Sequence, residues 1–506
     1  MTDTVSEAAV VVIGAGYAGI SALHAAIGHL GPRQRAVIAD MRADWGGQWL
    51  EQYDFVRLHQ PYRHFTAYDQ AWALDRDPSH LASRAEILDH MRDLGARAGT
   101  RQPVSPLFGH RYVGHERKPG SPLLEVTFES VADPSSTVVV RTPRIIKATG
   151  FDLPIKKPLS LSSSAVESVA PVGLRQAVTG GDAEFYVIGS GKTAMDAVLF
   201  IRNRAPDAPV TLVAGNGAMF LNRDRLFPRG RLGRHLRGRL LFPFMMEYAL
   251  RWDGSNHRAL SREMLRRGDM ISPVPDPNSC QFGLLGTEEM SRVTHALRRC
   301  IKGRLADIVD VDGVPTLKMQ DGRMLPLPAT KPGRRRVVVN CTENITEANP
   351  EPILQQGGRV LAPQFVGIFS GPTATMLTHA WFRGALEKIV PQFYRVDLVP
   401  IDPVRKQETF FRLSLATVHN VGLLGQALPA SLLMRDLSNM MTWYPLHRQL
   451  LAQLTLLRAR ERLARHAAAV LGEYRYPIES ATPERRAGLA RASVGARGDR
   501  GIANAG

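Results

Sequence analysis

"FYVIGSGKTAMD", residues 185–196, contains a Gly-Lys-Thr tripeptide whose reading decides the fold around it. A loop that grips a β-phosphate needs Gly, four residues, then Gly-Lys-Ser/Thr, because that length lets backbone N–H groups wrap the phosphate. Counting back five from Gly191 reaches Tyr186, and the nearest earlier glycine is Gly189, two residues away. That spacing makes a tight turn rather than a cradle. The stretch is therefore G-x-G-x-x-A: Gly189, Ser190, Gly191, Lys192, Thr193, Ala194. An apolar strand precedes it. A helical pattern follows to about Arg204, and then the apolar run Val210 to Val213. An ATP-driven machine is excluded as the leading reading.

The same pattern stands at the N-terminus. Val10 to Ile13 is a four-residue apolar run closed by Gly14, Ala15, Gly16, Tyr17, Ala18 and Gly19. A helical pattern follows (Ile20, Leu23, Ala26, Ile27, Leu30), then Gly31-Pro32 and a second apolar run, Ala36 to Ala39, ending at Asp40. In such a unit the first glycine makes the turn and the second lets backbone approach a pyrophosphate. The third small residue lets helix pack on strand, and the helix N-terminus holds the negative charge. Two dinucleotide-binding units in one chain are expected. Asp40, 21 residues beyond Gly19, stands where a carboxylate accepts from ribose hydroxyls. The second unit offers Ala214-Gly215-Asn216 there, without a carboxylate, and Arg223 and Arg225 follow shortly after. A 2′-phosphate is repelled by acids and attracted by arginine, so the second site favours NADPH over NADH. Lys192, in the first helical turn, is a candidate phosphate partner; the plain alternative is a solvated helix lysine.

At 506 residues the chain exceeds one comfortable core. Its 44% apolar and 22% charged content are those of an ordinary globular protein. Net charge is +17, and only 10 of the 64 cations are Lys, so the excess is arginine. Cys280, Cys300 and Cys341 are far apart and make neither a disulfide framework nor a metal cluster, so a reducing cytoplasm fits. The acidic start "MTDTVSEA" lacks the cations of a secretory signal, and the longest apolar stretch, Leu240 to Leu250, is broken by Pro243 and Glu247.

The fold class expected is α/β: two Rossmann-like dinucleotide-binding domains with a helical insertion and a C-terminal helical extension. Residues 1–152 are expected to form the first part of one dinucleotide-binding domain, which 337–392 close. Residues 180–336 form an NADPH-binding domain with a helical insertion at 221–300. An extension at 393–480 has its clearest helix near 446–472, with an apolar stripe (Leu450, Leu454, Leu457) and a basic opposite face. Residues 481–506, rich in Ala, Arg and Gly, are expected to be disordered.

With these residues placed, the chain resembles flavin-containing monooxygenases and their Baeyer–Villiger relatives over about residues 8–392. The resemblance rests on "VVVIGAGYAG" (10–19), "GGQW" (46–49), "YDFVRLHQP" (53–61), "KATGF" (147–151) and the loop at 189–194. It implies FAD on the first unit, held by the 14–19 loop and Asp40, and NADPH on the second. It places Gly47, Gln48, Trp49, Leu58, His59 and Gln60 near the flavin, and Thr149 and Gly150 at a crossover between domains. Gln48 replaces the family's Thr, Glu343 stands where a Gly follows "NCT", and no F-x-G-x-x-x-H segment lies in 155–185. A Baeyer–Villiger enzyme is thereby less expected.

What this implies chemically is a monooxygenase that places one atom of O2 on a small organic substrate through a C4a-peroxyflavin. The alternative is an NADPH dehydrogenase or oxidase without oxygen insertion. Hydrogen-bond donors near the oxygen would come from His59, Gln60, Gln48 and Arg57; each is otherwise a local packing or turn partner. A helix starting near Thr375 would aim its N-terminus, marked by Met376 and Leu377, at the flavin pyrimidine. The stretch 223–239 carries seven Arg and one acid. It reads as an NADPH funnel, as a peripheral membrane contact beside "LLFPFMMEYAL", or as a solvated insertion. No recognition motif or interleaved aromatics accompany the charge, so nucleic acid is not an expected partner, and no metal-ligand spacing stands out. A third reading is a membrane-associated flavoprotein acting as a binding module.

Overall fold

The computed structural model describes residues 4–150, 155–342, 351–363, 366–396, 406–472 and 474–476. Val10–Ile13 is the centre of a six-stranded sheet, paired in parallel with Ala36–Asp40 on one side and Ile145–Lys147 on the other. Val104–Phe108 extends it beyond Ala36–Asp40, and Val360–Leu361 with Leu354–Gln355 extends the opposite side. The four central residues are 0–3% exposed. Strands covered on both faces have no polar side to present, which is why these runs read as continuously apolar rather than alternating.

A second sheet repeats the design with five parallel strands. In order they are Arg299–Ile301, Val210–Val213, Ala183–Ile188, Arg335–Asn340 and Glu167–Val169. It lies between the strands of the first sheet in sequence, so one unit is nested inside the other. Antiparallel meanders cap each unit: His110–Arg117, Leu124–Ser130 and Thr137–Thr142 in the first, Leu305–Val311, Val314–Met319 and Met324–Pro326 in the second. The helix Arg84–Arg101 starts on a capping box in which Glu86 accepts the Ser83 N–H at 2.7 Å and the Ser83 hydroxyl oxygen accepts the Glu86 N–H.

Two expectations change, and the Leu446–Leu471 helix shows which of its faces packs. The insertion at 221–300 is not simply helical: Ala218–Asn222, Met270–Ile271 and Ser279–Leu285 form a three-stranded sheet among its helices. The helix expected near Thr375 starts at Ser370, because Gly371 and Pro372 fit a first helical turn instead of blocking it. The stripe on Leu446–Leu471 is not its buried face. Leu450, Leu454 and Leu457 are 52%, 49% and 47% exposed, and the helix packs through Ala452, Leu463, Ala467 and Leu471. Small alanines allow that close approach on the other side. The tail at 481–506 lies outside the described residues.

Candidate functional site

Each glycine loop is locked to the crossover of its own sheet. Gly14 has φ +104°, and a Cβ there would sit 2.4 Å from the Ala148 carbonyl oxygen; Gly189, at φ +114°, would place one 2.7 Å from Cys341 O. Only glycine fits both the backbone and the space. The helices that follow, Tyr17–Ile27 and Lys192–Arg204, have Gly16 and Gly191 as N-caps without a side-chain cap. Their first-turn N–H groups therefore remain available to an anion. Among the described residues a Cβ on Gly191 would meet nothing within 4 Å, and one on Gly16 would meet only Gly47 Cα, at 3.5 Å.

Asp40, at the end of its strand, accepts the Ala15 N–H at 2.8 Å and the Arg42 N–H at 2.9 Å. The carboxylate thus holds the loop's shape. Tyr17 and half-buried Ala18 begin the helix, and Gly19 packs it onto the Gly14 carbonyl. The Tyr17 ring stacks on Phe65 at 4.0 Å, and its hydroxyl donates to His64 O at 3.2 Å. A Cβ on Gly371 would lie 2.3 Å from that ring, so the Ser370–Phe382 helix approaches through a glycine. This helix also lacks a side-chain cap, and the buried Thr375 hydroxyl has no partner among the described residues. Met376 is half-buried in its second turn, whereas Leu377 is fully buried core.

The four proposed catalytic residues do not converge. Gln48 is exposed on the Gly47–Leu50 turn, beside Trp49, which meets Phe65 edge-on at 5.5 Å. Arg57 is exposed and donates to Leu81 O at 3.0 Å. Leu58 is core, and Gln60 is buried with its Oε1 unpartnered among the described residues. His59 turns to the second unit, where its Nδ1 accepts the Leu284 N–H at 3.1 Å. Burial, aided by the charges of Lys192 and Arg223, pushes its imidazole down to about 4, so it is neutral. Thr149 and Gly150 follow the Ile145–Lys147 strand and are exposed.

Around the second loop, sequence reasoning missed a buried ionic cluster. Lys192 bonds Asp196 and lies 2.9 Å from Glu289 Oε1, and Arg223 donates to Glu289 Oε2 at 2.8 Å. Tyr53 donates to Asp196 at 2.9 Å. Burial works against the Lys192 ammonium, but Asp196 and Glu289 more than offset it and hold its pKa above the ordinary value. Lys192 and Arg223, the candidate phosphate partners, are thus each paired with protein carboxylates. The Lys192–Asp196 spacing of four was a legible signal; Glu289, far along the chain, carried none. Ser190 and Thr193 are half-buried in the loop. Asn216 is half-buried and accepts the Asn278 N–H at 2.9 Å. A bridge between Gly215 and Gly303 brings Lys302 and Arg304 beside the end of the Val210–Val213 strand. Lys302 is bonded to Asp276 at 2.8 Å.

In the Arg-rich stretch, Arg239 pairs with Asp269 at 2.6 Å, Arg225 lies 3.6 Å from the same carboxylate, and Arg234 covers the Trp443 ring at 4.2 Å. Arg229, Arg231 and Arg237 are exposed. Among the described residues, no helix is long and apolar enough to cross a membrane. Glu343 lies outside them.

No family model matches the chain. An uncharacterised protein of Mycobacterium tuberculosis and one of Mycobacterium bovis are each 28% identical over 226 residues. That match covers 43% of this chain and spans only 40% of the length of those relatives. Among solved structures, a flavin-containing monooxygenase from Stenotrophomonas maltophilia is 14% identical, covering 76% of this chain and 97% of its own, at a TM-score of 0.44. Cyclohexanone monooxygenase in an open form is 14% identical over 76% of this chain and 88% of its own, at 0.48. A bacillithiol disulfide reductase from Bacillus cereus is 12% identical over 76% of this chain and 100% of its own, at 0.40.

Proposed function

We propose that this chain is an FAD- and NADPH-dependent oxidoreductase that oxygenates a small organic substrate with O2. The observation that carries the reading is the duplicated loop. Two sheets with parallel central strands each carry a glycine turn backed by a crossover carbonyl, and in front of each lies an uncapped helix N-terminus. The residues fit the cofactors' phosphates, since both helix starts keep free donors and both approaches are lined by glycine. Gly14, Gly16, Tyr17, Ala18 and Asp40, with Gly47, Trp49, Thr149 and Gly150, would hold FAD. Gly189, Ser190, Gly191, Thr193 and Asn216 would hold NADPH, with Arg304 taking the 2′-phosphate in place of Arg223.

When bound, the pair supplies a hydride donor beside a hydride-accepting ring. The protein's part is orientation and exclusion of water. Tyr17 and Phe65 fix the first helix against the Ser370–Phe382 helix, whose uncapped N-terminus favours negative charge in front of it. His59, neutral and bonded to Leu284, ties the 53–60 segment to the second unit. Purified protein should be yellow and bleached faster by NADPH than by NADH under argon. With ¹⁸O-labelled O2, a labelled product supports oxygenation. Stoichiometric hydrogen peroxide without label supports the oxidase alternative, and no bleaching removes both.

A second reading, contact with an anionic bilayer, is favoured by Leu232 and Leu236, 57% and 72% exposed beside exposed Arg231 and Arg237. Sedimentation with phosphatidylglycerol vesicles, lost in Leu236→Asp, tests it.

A further inference from the structure

The extension beyond residue 406 lies outside the stretch that resembles flavin-containing monooxygenases, yet its helices wall an apolar cavity. A cavity of about 580 Å3 lies among the helices Lys406–Ala427, Ala430–Arg435 and Leu446–Leu471. Its walls include Phe242, Phe369, Met376, Leu433, Met441 and Leu456. Its inner end is Pro372 and Thr373, in the first turn of the Ser370–Phe382 helix, and its rim carries Met434, Leu446, Leu450 and Leu457, all about half exposed or more. Two acids line it: Glu461, exposed at the mouth beside Arg460, and Asp436, which is 4% exposed and accepts the Ser438 N–H at 3.0 Å.

From this arrangement we infer that the C-terminal helices form a chamber for a predominantly apolar small molecule bearing one hydrogen-bonding group, which Asp436 meets. The volume lies within the range of small-molecule sites, roughly 300–1,000 Å3, and a few polar groups among apolar walls is their usual chemistry. Water gains little from such walls, whereas a hydrocarbon ligand removes them from solvent. The chain's own 477–506 segment matches the chamber poorly, since its large aliphatic residues are only Ile478, Leu489, Val494 and Ile502 among many Arg, Ala and Gly. A molecule seated here would present one end to the helix start assigned above to the flavin. Its role as substrate rests on that redox reading; its binding does not.

The test uses the full-length purified protein and N-phenyl-1-naphthylamine, an uncharged apolar probe with one N–H. Saturable, one-site fluorescence enhancement is expected. Filling the chamber by Leu433→Trp or Leu456→Trp should weaken binding by about tenfold or more. Leu454→Ser, on the outer face and not in the chamber wall, should leave it unchanged. Thermal midpoints close to the parent's confirm that the tryptophan variants fold. The proposal is overturned by absence of saturable binding, by binding indifferent to both tryptophans, or by binding that appears only after residues 477–506 are removed. It is equally overturned if Leu433→Trp changes the oligomeric state, because a second copy would then be the occupant. Probe binding without NADPH bleaching sinks the redox reading and keeps the chamber; bleaching without probe binding does the reverse.

Discussion

Lys192 Nζ lies 2.9 Å from Glu289 Oε1, a contact made across 97 residues, while Arg223 holds the other carboxylate oxygen at 2.8 Å. A phosphate arriving at the start of the Lys192–Arg204 helix competes with that carboxylate for both cations. Glu289→Gln removes the competitor. Dissociation of NADPH, followed by titration against flavin reduction or protein fluorescence, should tighten about three- to tenfold, worth about 1 kcal/mol. Weaker binding would show that the cluster serves only to shape the loop.

Arg304 is brought to the end of the Val210–Val213 strand by the Gly215–Gly303 bridge. If it reads the 2′-phosphate, Arg304→Ala should raise KM for NADPH by about tenfold, the order of one charge-assisted hydrogen bond, and leave NADH nearly unchanged. Equal effects on the two nucleotides would refute the assignment. Arg223→Ala, by contrast, should cost stability more than discrimination, because it leaves part of Glu289 uncompensated.

Gly14→Ala and Gly189→Ala force a Cβ to within 2.4 Å and 2.7 Å of a carbonyl oxygen at positive φ. Each should destabilise by about 2 kcal/mol or more and abolish retention of its own nucleotide. Thermal unfolding and the flavin-to-protein absorbance ratio check this. Loss of flavin in the first variant but not in the second would also assign the loops to their cofactors.

Much of this architecture was legible because its signals are local. Strand, glycine turn and helix follow within twenty residues, and the doubly covered strands leave unbroken apolar runs such as Val10 to Ile13. The site was legible only to the loop. Glu289 joins Lys192, and Arg304 comes beside the end of the Val210–Val213 strand, through pairings that sequence spacing does not encode. Leu450, Leu454 and Leu457 were legible as an apolar face, but helical periodicity does not say what covers it. Likewise, Gly371-Pro372 resembled a stop before Thr375 although proline is well suited to a helix's first turn.

Asp436 predicts a distinctive pH response. Burial, only partly offset by the Ser438 hydrogen bonds, pushes its carboxyl from 3.8 up to about 7. The folded state therefore binds the proton more tightly than the unfolded state, so this contribution is full below pH 3.8 and is lost as pH rises through about 7. The span is about three pH units at about 1.4 kcal/mol each, a ceiling of about 4 kcal/mol. Asp436→Asn should melt higher than the parent at pH 8 and show no such advantage near pH 4.

Buried histidines act in the opposite sense. His24, His59, His64 and His379 are each pushed down to about 4, chiefly by burial. Their contribution is present above pH 6.5 and is lost as pH falls toward 4, because the unfolded chain takes up protons first. Unfolding midpoints should fall steeply over that window, and His64→Phe should soften the fall. His64 is the informative position, because burial there outweighs a backbone hydrogen bond at Leu437 that favours the protonated ring.

The nesting of one sheet within the other governs the order in which a ribosome can deliver finished parts. All five strands of the inner sheet, from Glu167 to Asn340, emerge before Leu354–Leu361 and the Ser370–Phe382 helix exist to complete the outer one. The inner unit can close early, while the outer half must wait with Val10–Ile13 paired on an unfinished edge. Newly made chains should therefore depend on chaperones most while residues 150–380 are being translated.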